Sequence, residues 1–254
     1  MRDFTIALAR KVGGFLASHF REDSTLTAKR GTAKEIILKY DKQSDEMIVK
    51  EIRKKYPDHN LFTEESGLVD KGSDSTWFVD SLDGTSNFAN GNPFFSVSIA
   101  VAKKGELQLG VIFAPFLDEL YVAERGKGAT LNGKRIHVSD TAAIGKSYIV
   151  ACEGGELTTV PISRICAKLY PKVKDWRKLG SAALEGAAVA TGRADAYITT
   201  SIHAYDVAAA VLLVREAGGV VTDFEGKEWQ LRQGDLLASN RLLHKSILQE
   251  VMMR

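Results

Sequence analysis

Two aspartates, Asp80 and Asp83, follow the apolar run Trp77-Phe78-Val79 and precede Gly84-Thr85-Ser86. The apolar run reads as the end of a buried strand that stops where the aspartates begin, and the chain then turns at Gly84. Thr85 and Ser86 are helix-capping residue types. A short helix opening here would present free backbone N–H groups and the positive end of its dipole, which suits an oxyanion such as phosphate. Carboxylates beside an anion-binding turn repel the anion unless a cation lies between them, so the pairing implies a divalent metal. Hard oxygen ligands select Mg²⁺. Alone, an Asp-Gly-Thr stretch is more often a plain capped turn.

Further acidic groups change that balance. Glu64-Glu65 ends a short apolar strand predicted from Leu61 to Glu64, although adjacent glutamates at such a place are usually only solvated. Asp206 precedes Val207-Ala208-Ala209-Ala210 and is expected as the N-cap of a small-residue helix over 206–217. Asp41 is expected as the N-cap of a helix running to about Tyr56, with Met47, Ile48, Ile52 and Tyr56 on one face and Pro57 beyond its end. Glu64, Asp80, Asp83 and Asp206 thus give four carboxylates at the ends of apolar elements, with the Thr85 hydroxyl and Asp41 in addition. Two-metal phosphoryl chemistry needs such a set. His203 is the lone histidine near these positions and is expected to satisfy a local hydrogen bond.

The elements that must bring these groups together follow from periodicity. Phe4, Leu8, Val12, Phe15, Leu16 and Phe20 recur at three or four residues, predicting a helix over 3–20 with Asp3 as N-cap. Residues 21–34, with Arg30-Gly31-Thr32, read as an exposed mobile loop before a strand over 35–39. Strands over 94–102 and 107–114 are joined through Lys103-Lys104-Gly105-Glu106, a strand over 119–123 follows, and Asn132-Gly133 marks another hairpin. A largely antiparallel sheet is therefore expected to about residue 140. Beyond it, strands over 148–152, 194–199, 220–223 and 236–239 alternate with helices over 160–169, 180–191, 206–217 and 242–252. Two units follow, an α+β half over 1–140 with most of the acidic candidates and an α/β half over 141–254 with Asp206.

The 254 residues, 44% hydrophobic and 26% charged, suffice for one large domain or two coupled ones. A formal net charge of +2 without a long basic run makes nucleic acid an unexpected partner. Cys152 and Cys166 match neither a metal spacing nor a disulfide framework and are expected as buried thiols in a reducing cytoplasm. The N-terminal apolar positions are interrupted by Asp3, Arg10 and Lys11, so neither a secretion signal nor a membrane span is expected.

Several ordered stretches together resemble the inositol monophosphatase family of Mg²⁺-dependent, lithium-sensitive phosphatases. They are E-E-S-G at 64–67, D-S-L-D-G-T-S-N-F at 80–88, G-K-G-A-T-L-N-G at 126–133, G-S-A-A-L at 180–184 and Y-D-V-A-A-A with E-A-G-G at 205–219. The resemblance implies a layered αβαβα sandwich, with an antiparallel N-terminal sheet and a smaller α/β C-terminal half. It implies two to three Mg²⁺ ions. Glu64, Asp80 and the carbonyl of Leu82 would hold one, and Asp80, Asp83 and Asp206 the second, with Asp80 bridging. A third, weaker ion would lie near Glu64, within reach of the loop over 21–34. Thr85, hydrogen-bonded to Asp41, would orient and help deprotonate the attacking water. The amides of Gly84 and Thr85 would bind phosphate oxygens, and Gly180, Ser181 and Ala182 would meet the substrate's alcohol portion. Arg177 is a further candidate ligand there by its nearness in sequence. A homodimer and a small phosphate ester as partner are also implied.

Three positions depart from the family pattern. Ser81 stands where proline is usual, and Tyr205 replaces a tryptophan before the last aspartate. Thr199, seven residues before Asp206, stands where animal inositol phosphatases carry a glutamate that binds inositol hydroxyls. With its Thr-Glu-Glu-Ser-Gly stretch and short connections, the chain looks closest to archaeal and bacterial members acting on both inositol monophosphate and fructose 1,6-bisphosphate. Two other readings stay open. One is a phosphatase of the same family acting on 3′-phosphoadenosine 5′-phosphate or another nucleotide, and the other is a non-catalytic scaffold binding RNA or a transcription complex. A haloacid-dehalogenase-type phosphatase is discounted, because it needs a second aspartate two residues after the first and position 82 is leucine.

Overall fold

The structure, a computed structural model, describes residues 1–21, 33–154, 161–232 and 234–252, the side chains of 33–38 aside. In chain order the helices are α1 (Arg2–His19), α2 (Ala33–Lys55), α3 (Thr85–Ala89), α4 (Ile162–Leu169), α5 (Ala182–Ala190), α6 (Ala204–Glu216) and α7 (His244–Met252). The strands are β1 (Asn60–Thr63), β2 (Gly67–Val69), β3 (Ser75–Asp83), β4 (Ser96–Lys103), β5 (Glu106–Ala114), β6 (Glu119–Glu124), β7 (Gly128–Leu131), β8 (Lys134–Arg135), β9 (Tyr148–Glu153), β10 (Asp175–Arg177), β11 (Ala196–Ile202), β12 (Val220–Thr222) and β13 (Gly234–Ser239).

The first eight strands form one sheet, ordered β2-β1-β3-β4-β5-β6-β7-β8, and the rest form a second, ordered β10-β9-β11-β13-β12. Only β1 and β3 run parallel in the first sheet. Its two predicted hairpin turns have positive φ at Lys104-Gly105 and at Asn132-Gly133, the backbone that matches the twist of paired strands. One face of this sheet packs Trp77, Val79, Ile99 and Val111 against Leu8, Val12 and Leu16 of α1 and Ile48 and Ile52 of α2. The other face packs Phe78, Ala100 and Ile112 against the alanine-rich α5 and α6. A Cβ on Gly110 would come within 2.8 Å of the Ala209 carbonyl, so only glycine lets α6 lie this close to β5. The second sheet covers α5 and α6 from the far side and is itself covered by α4 and α7 through Ile149, Ile165, Leu169, Ile198 and Ile247. These layers make the expected αβαβα sandwich.

Three local expectations are corrected. The predicted strand over 35–39 is helical, part of α2, and Asp41 therefore lies inside a helix rather than at its N-cap. Ile36-Ile37-Leu38 imitates a strand, but a buried stripe at Tyr40, Ser44, Ile48 and Ile52 keeps helical spacing across Asp41, with a serine concealing it. Most of the predicted loop, including Arg30-Gly31-Thr32, lies outside the described residues. Helix α1 opens at Arg2 after Met1 as N-cap, which leaves Asp3 in the first turn, where its charge faces the helix dipole. Finally, β3 does not stop at Val79 but continues through Asp83.

Candidate active site

The continuation of β3 is what turns both aspartates the same way. Asp80 pairs with Ser98 and Asp83 with Ser96, so three steps on β3 oppose two on β4. Side chains alternate faces along a regular strand, and residues three apart would point oppositely. The extra residue of this bulge restores a common face, and both aspartates line one cavity of about 450 Å³. Strand β1 runs parallel beside β3 with Thr63 opposite Val79, and the Glu64 amide donates to the Val79 carbonyl at 3.2 Å. Glu64 consequently leaves the sheet edge beside Asp80.

Asp206 reaches the same place from α6. It is the third helical residue and not the N-cap, a position that His203 takes, and its Oδ2 accepts the His203 amide at 2.9 Å. Oxygen atoms of Glu64, Asp80 and Asp206 all lie within 4.8 Å of one another. Burial, and after it the charges of neighbouring acids, raise all three carboxyls above their ordinary range. Glu64 is pushed up to about 7, by burial first and then by Asp83 and Glu65. Asp80 is raised by burial and by Glu64, Asp83 and Asp206, and Asp206 by burial and by Glu64 and Asp83. Asp80 is buried, Asp206 half-buried and Glu64 open at the rim; anions converging so closely resist their own ionisation, and a hard divalent cation is the partner that oxygen donors of this kind fit.

Asp83 stands in other surroundings. Its Oδ1 accepts the Ala182 amide at 2.8 Å, and its Oδ2 accepts the Ala183 amide at 2.9 Å, the Ser96 hydroxyl at 3.2 Å and the Ser181 hydroxyl. The first turn of α5 thereby closes on it. Burial raises its carboxyl while these donors oppose the rise.

Gly84, at φ +97°, is the N-cap of α3, which corrects the expected capping by Thr85 and Ser86. A Cβ there would meet the carbonyls of Phe94 at 3.1 Å and Gly180 at 3.2 Å, so the turn requires glycine on both counts. Asp41 is buried behind the cavity and is pushed up to about 8 by burial, then by Glu64 and Glu65. Among the described residues no hydrogen bond joins it to Thr85. Ser81 takes that place, its Oγ lying 3.2 Å from the Asp41 carbonyl and 3.4 Å from Oδ1 while accepting from Ser44 at 2.9 Å. The residue standing for a proline is therefore a polar tie between β3 and α2.

The cavity brings together Glu64, Asp80, Leu82, Asp83, Gly84, Thr85, Gly180, Ala182 and Asp206. Ser181 is buried beneath it on Asp83. Arg177 does not line it and instead pairs with Asp175 and donates to the Trp176 carbonyl at 2.8 Å. Lys178 lines it instead. Sequence reasoning passed over Cys152, Glu153, Gly154, Ile202 and Tyr205, which also line it. These lie at or after the carboxyl ends of the parallel pair β9 and β11, the usual place for ligands in an α/β half and a signal available beforehand. Cys152 is buried and Cys166 half-buried, both free. Asp45 was also passed over. Buried on α2, it accepts the Ser66 hydroxyl at 2.5 Å and so ties down the turn that carries Glu64.

A family model described as the inositol monophosphatase family matches residues 1–253. A Thermotoga maritima protein named fructose-1,6-bisphosphatase/inositol-1-monophosphatase is 41% identical over 98% of this chain and 94% of its own. A Pasteurella multocida protein named Nus factor SuhB is 38% identical over 99% of this chain and 95% of its own. The solved structure of an inositol monophosphatase from Anabaena superposes with a TM-score of 0.87 at 33% identity, covering 98% of this chain and 94% of that one. No helix among the described residues is long and apolar enough to cross a membrane.

Proposed function

The chain belongs to the inositol monophosphatase family, and from that premise we propose that it is a Mg²⁺-dependent phosphomonoester hydrolase acting on a small polyol or sugar phosphate. The observation that carries this reading is the convergence of Glu64, Asp80 and Asp206 oxygens within 4.8 Å beside the β3–α3 turn. Glu64, Asp80 and the Leu82 carbonyl would hold one ion and Asp80 and Asp206 a second. Asp83 joins the second set only through a lone pair not already taken by its donors. A third, weaker ion near Glu64 completes the proposed complement. Bound Mg²⁺ supplies a more acidic water and neutralises charge on the phosphate.

The chain's own groups do the rest. Burial, then Glu64 and Glu65, push the Asp41 carboxyl up to about 8 in the metal-free protein, and a Mg²⁺ ion at Glu64 would oppose that rise and leave Asp41 able to accept a proton near neutrality. The Thr85 hydroxyl orients the attacking water, and the amides of Gly84 and Thr85 face the phosphate oxygens. Gly180 and Ala182 border the alcohol portion of the ester. Inositol 1-phosphate and fructose 1,6-bisphosphate are the proposed substrates, supported by the paired activities in the name of the Thermotoga relative.

Phosphate release is to be measured over inositol 1-phosphate, fructose 1,6-bisphosphate and 3′-phosphoadenosine 5′-phosphate, with Mg²⁺ and then with chelator. Release from the first two, abolished by chelation, is expected. Release from the nucleotide alone would move the substrate class. A second reading, a scaffold for RNA or a transcription complex, is favoured by the name Nus factor SuhB that relatives carry. Under it, no ester would be hydrolysed and Mg²⁺ would leave the melting temperature unchanged.

A further inference from the structure

Glu185 is fully buried in the first turn of α5, outside every role assigned so far. Its Oε1 accepts two backbone amides, Leu179 at 2.6 Å and Gly180 at 3.1 Å, while its buried Oε2 finds no N–H or O–H donor and has the weak Cys152 thiol as its neighbour. Burying a carboxyl costs stability that its two accepted bonds only partly offset.

The segment it holds joins the two sheets at the cavity. The other edge of that segment is stitched by Asn87 of α3, whose Nδ2 donates to the carbonyls of Leu179 at 2.8 Å and Gly180 at 3.3 Å. Gly180, at φ +84°, and Ala182 line the cavity, and the next donors along, from Ser181 to Ala183, close on Asp83. Without an acceptor at Oε1, the Leu179 and Gly180 amides lose their partner, and the turn is held on one edge by Asn87 and beyond Gly180 by the donors to Asp83.

We propose that Glu185 is a positioning residue for substrate: by accepting the Leu179 and Gly180 amides, it fixes the 179–182 turn that borders the ester's alcohol portion. The inference rests on the phosphatase reading for its kinetic consequence and on the backbone alone for its structural one. Glu185→Ala is expected to raise KM for inositol 1-phosphate and fructose 1,6-bisphosphate about tenfold, the loss of two bonds to a charged acceptor, with kcat within about threefold. A variant that is merely less stable would show the reverse, less active enzyme at unchanged KM. Glu185→Gln keeps an acceptor of the same shape and is expected to restore KM. Glu185→Met fills the volume without an acceptor and takes the place of alanine should that variant not fold.

Hydrogen exchange of the Leu179 and Gly180 amides is read in parallel and is expected to quicken at least tenfold in the alanine or methionine variant, with α7 unchanged. Wild-type KM and wild-type exchange in a folded alanine or methionine variant would overturn the proposal. Failure of the wild-type protein to hydrolyse any ester would sink the phosphatase reading instead. The exchange comparison would then still decide the turn.

Discussion

Asp80 and Asp83 share a strand, a face and a cavity, yet they are opposites. Asp83 is met by two amides and two hydroxyls, whereas Asp80 gives its Oδ1 to the Leu82 amide at 3.0 Å and otherwise faces Glu64 and Asp206. The charge of one is answered by the protein. That of the other meets a single amide and otherwise needs a cation or a proton. The site is therefore built in two parts, a clamp that is complete without metal and an acid cluster that is not.

The sharpest way to break this comparison is to neutralise each aspartate in turn. Asp80→Asn is expected to lower kcat at least about a thousandfold, as loss of a group acting in the transition state does. It should also abolish stabilisation by Mg²⁺ while leaving the metal-free protein as stable as wild type or more so, because a crowded anion has gone. Asp83→Ala should do the opposite to the fold. Its four donors lose a charged acceptor, and the metal-free protein is expected to lose about 3 kcal/mol in urea unfolding. If both variants destabilise the metal-free protein alike, the two-part description is wrong.

The acid cluster also fixes how stability follows pH. Glu64, pushed up to about 7, and Asp41, pushed up to about 8, carry protons in the folded protein that the unfolded chain has already lost. Folding takes up protons in that window, so the contribution of these groups to metal-free stability is greatest below about pH 4 and falls as pH rises from there to about 8. Mg²⁺ competes with those protons and should stabilise more at pH 8 than at pH 5.5. At one hundred times its dissociation constant, a single ion contributes about 2.7 kcal/mol, a rise of about 5–10 °C in melting temperature. Equal Mg²⁺ shifts at the two pH values would show that the ion does not bind the raised carboxylates.

Much of this was legible in the sequence, for identifiable reasons. Strand alternation, the Asn132-Gly133 turn and the helical spacing of α1 are local signals, and they placed the elements, whereas their stacking into five layers was implied only by the resemblance to the family. The four carboxylates stood out because each sits at one end of an apolar element. Two features were hidden because they depend on contacts between distant segments. Asp41 looked like a cap since Ser44 interrupts the apolar stripe of α2, and only packing on β3 shows that stripe to be continuous. The β3 bulge is invisible without β4, because three residues opposing two is a property of the pair. Arg177 was chosen by proximity in sequence, yet Lys178, its neighbour, is the one that lines the cavity.

The smallest expected effect tests the polar tie behind the cluster. Ser81 Oγ lies 3.4 Å from Asp41 Oδ1, longer than a good hydroxyl bond, so its hold on the carboxylate is weak. That contact nevertheless opposes the rise that burial and Glu64 impose on Asp41. Ser81→Ala removes it, so Asp41 should keep its proton to higher pH and be less available as a base near neutrality. The expected result at fixed Mg²⁺ is a kcat about twofold lower at pH 7, recovering toward wild type above pH 9. A constant ratio of variant to wild-type kcat across that range would mean that Ser81 ties β3 to α2 without acting on the Asp41 carboxylate. The asymmetry between Asp80 and Asp83 would then owe nothing to the helix behind them.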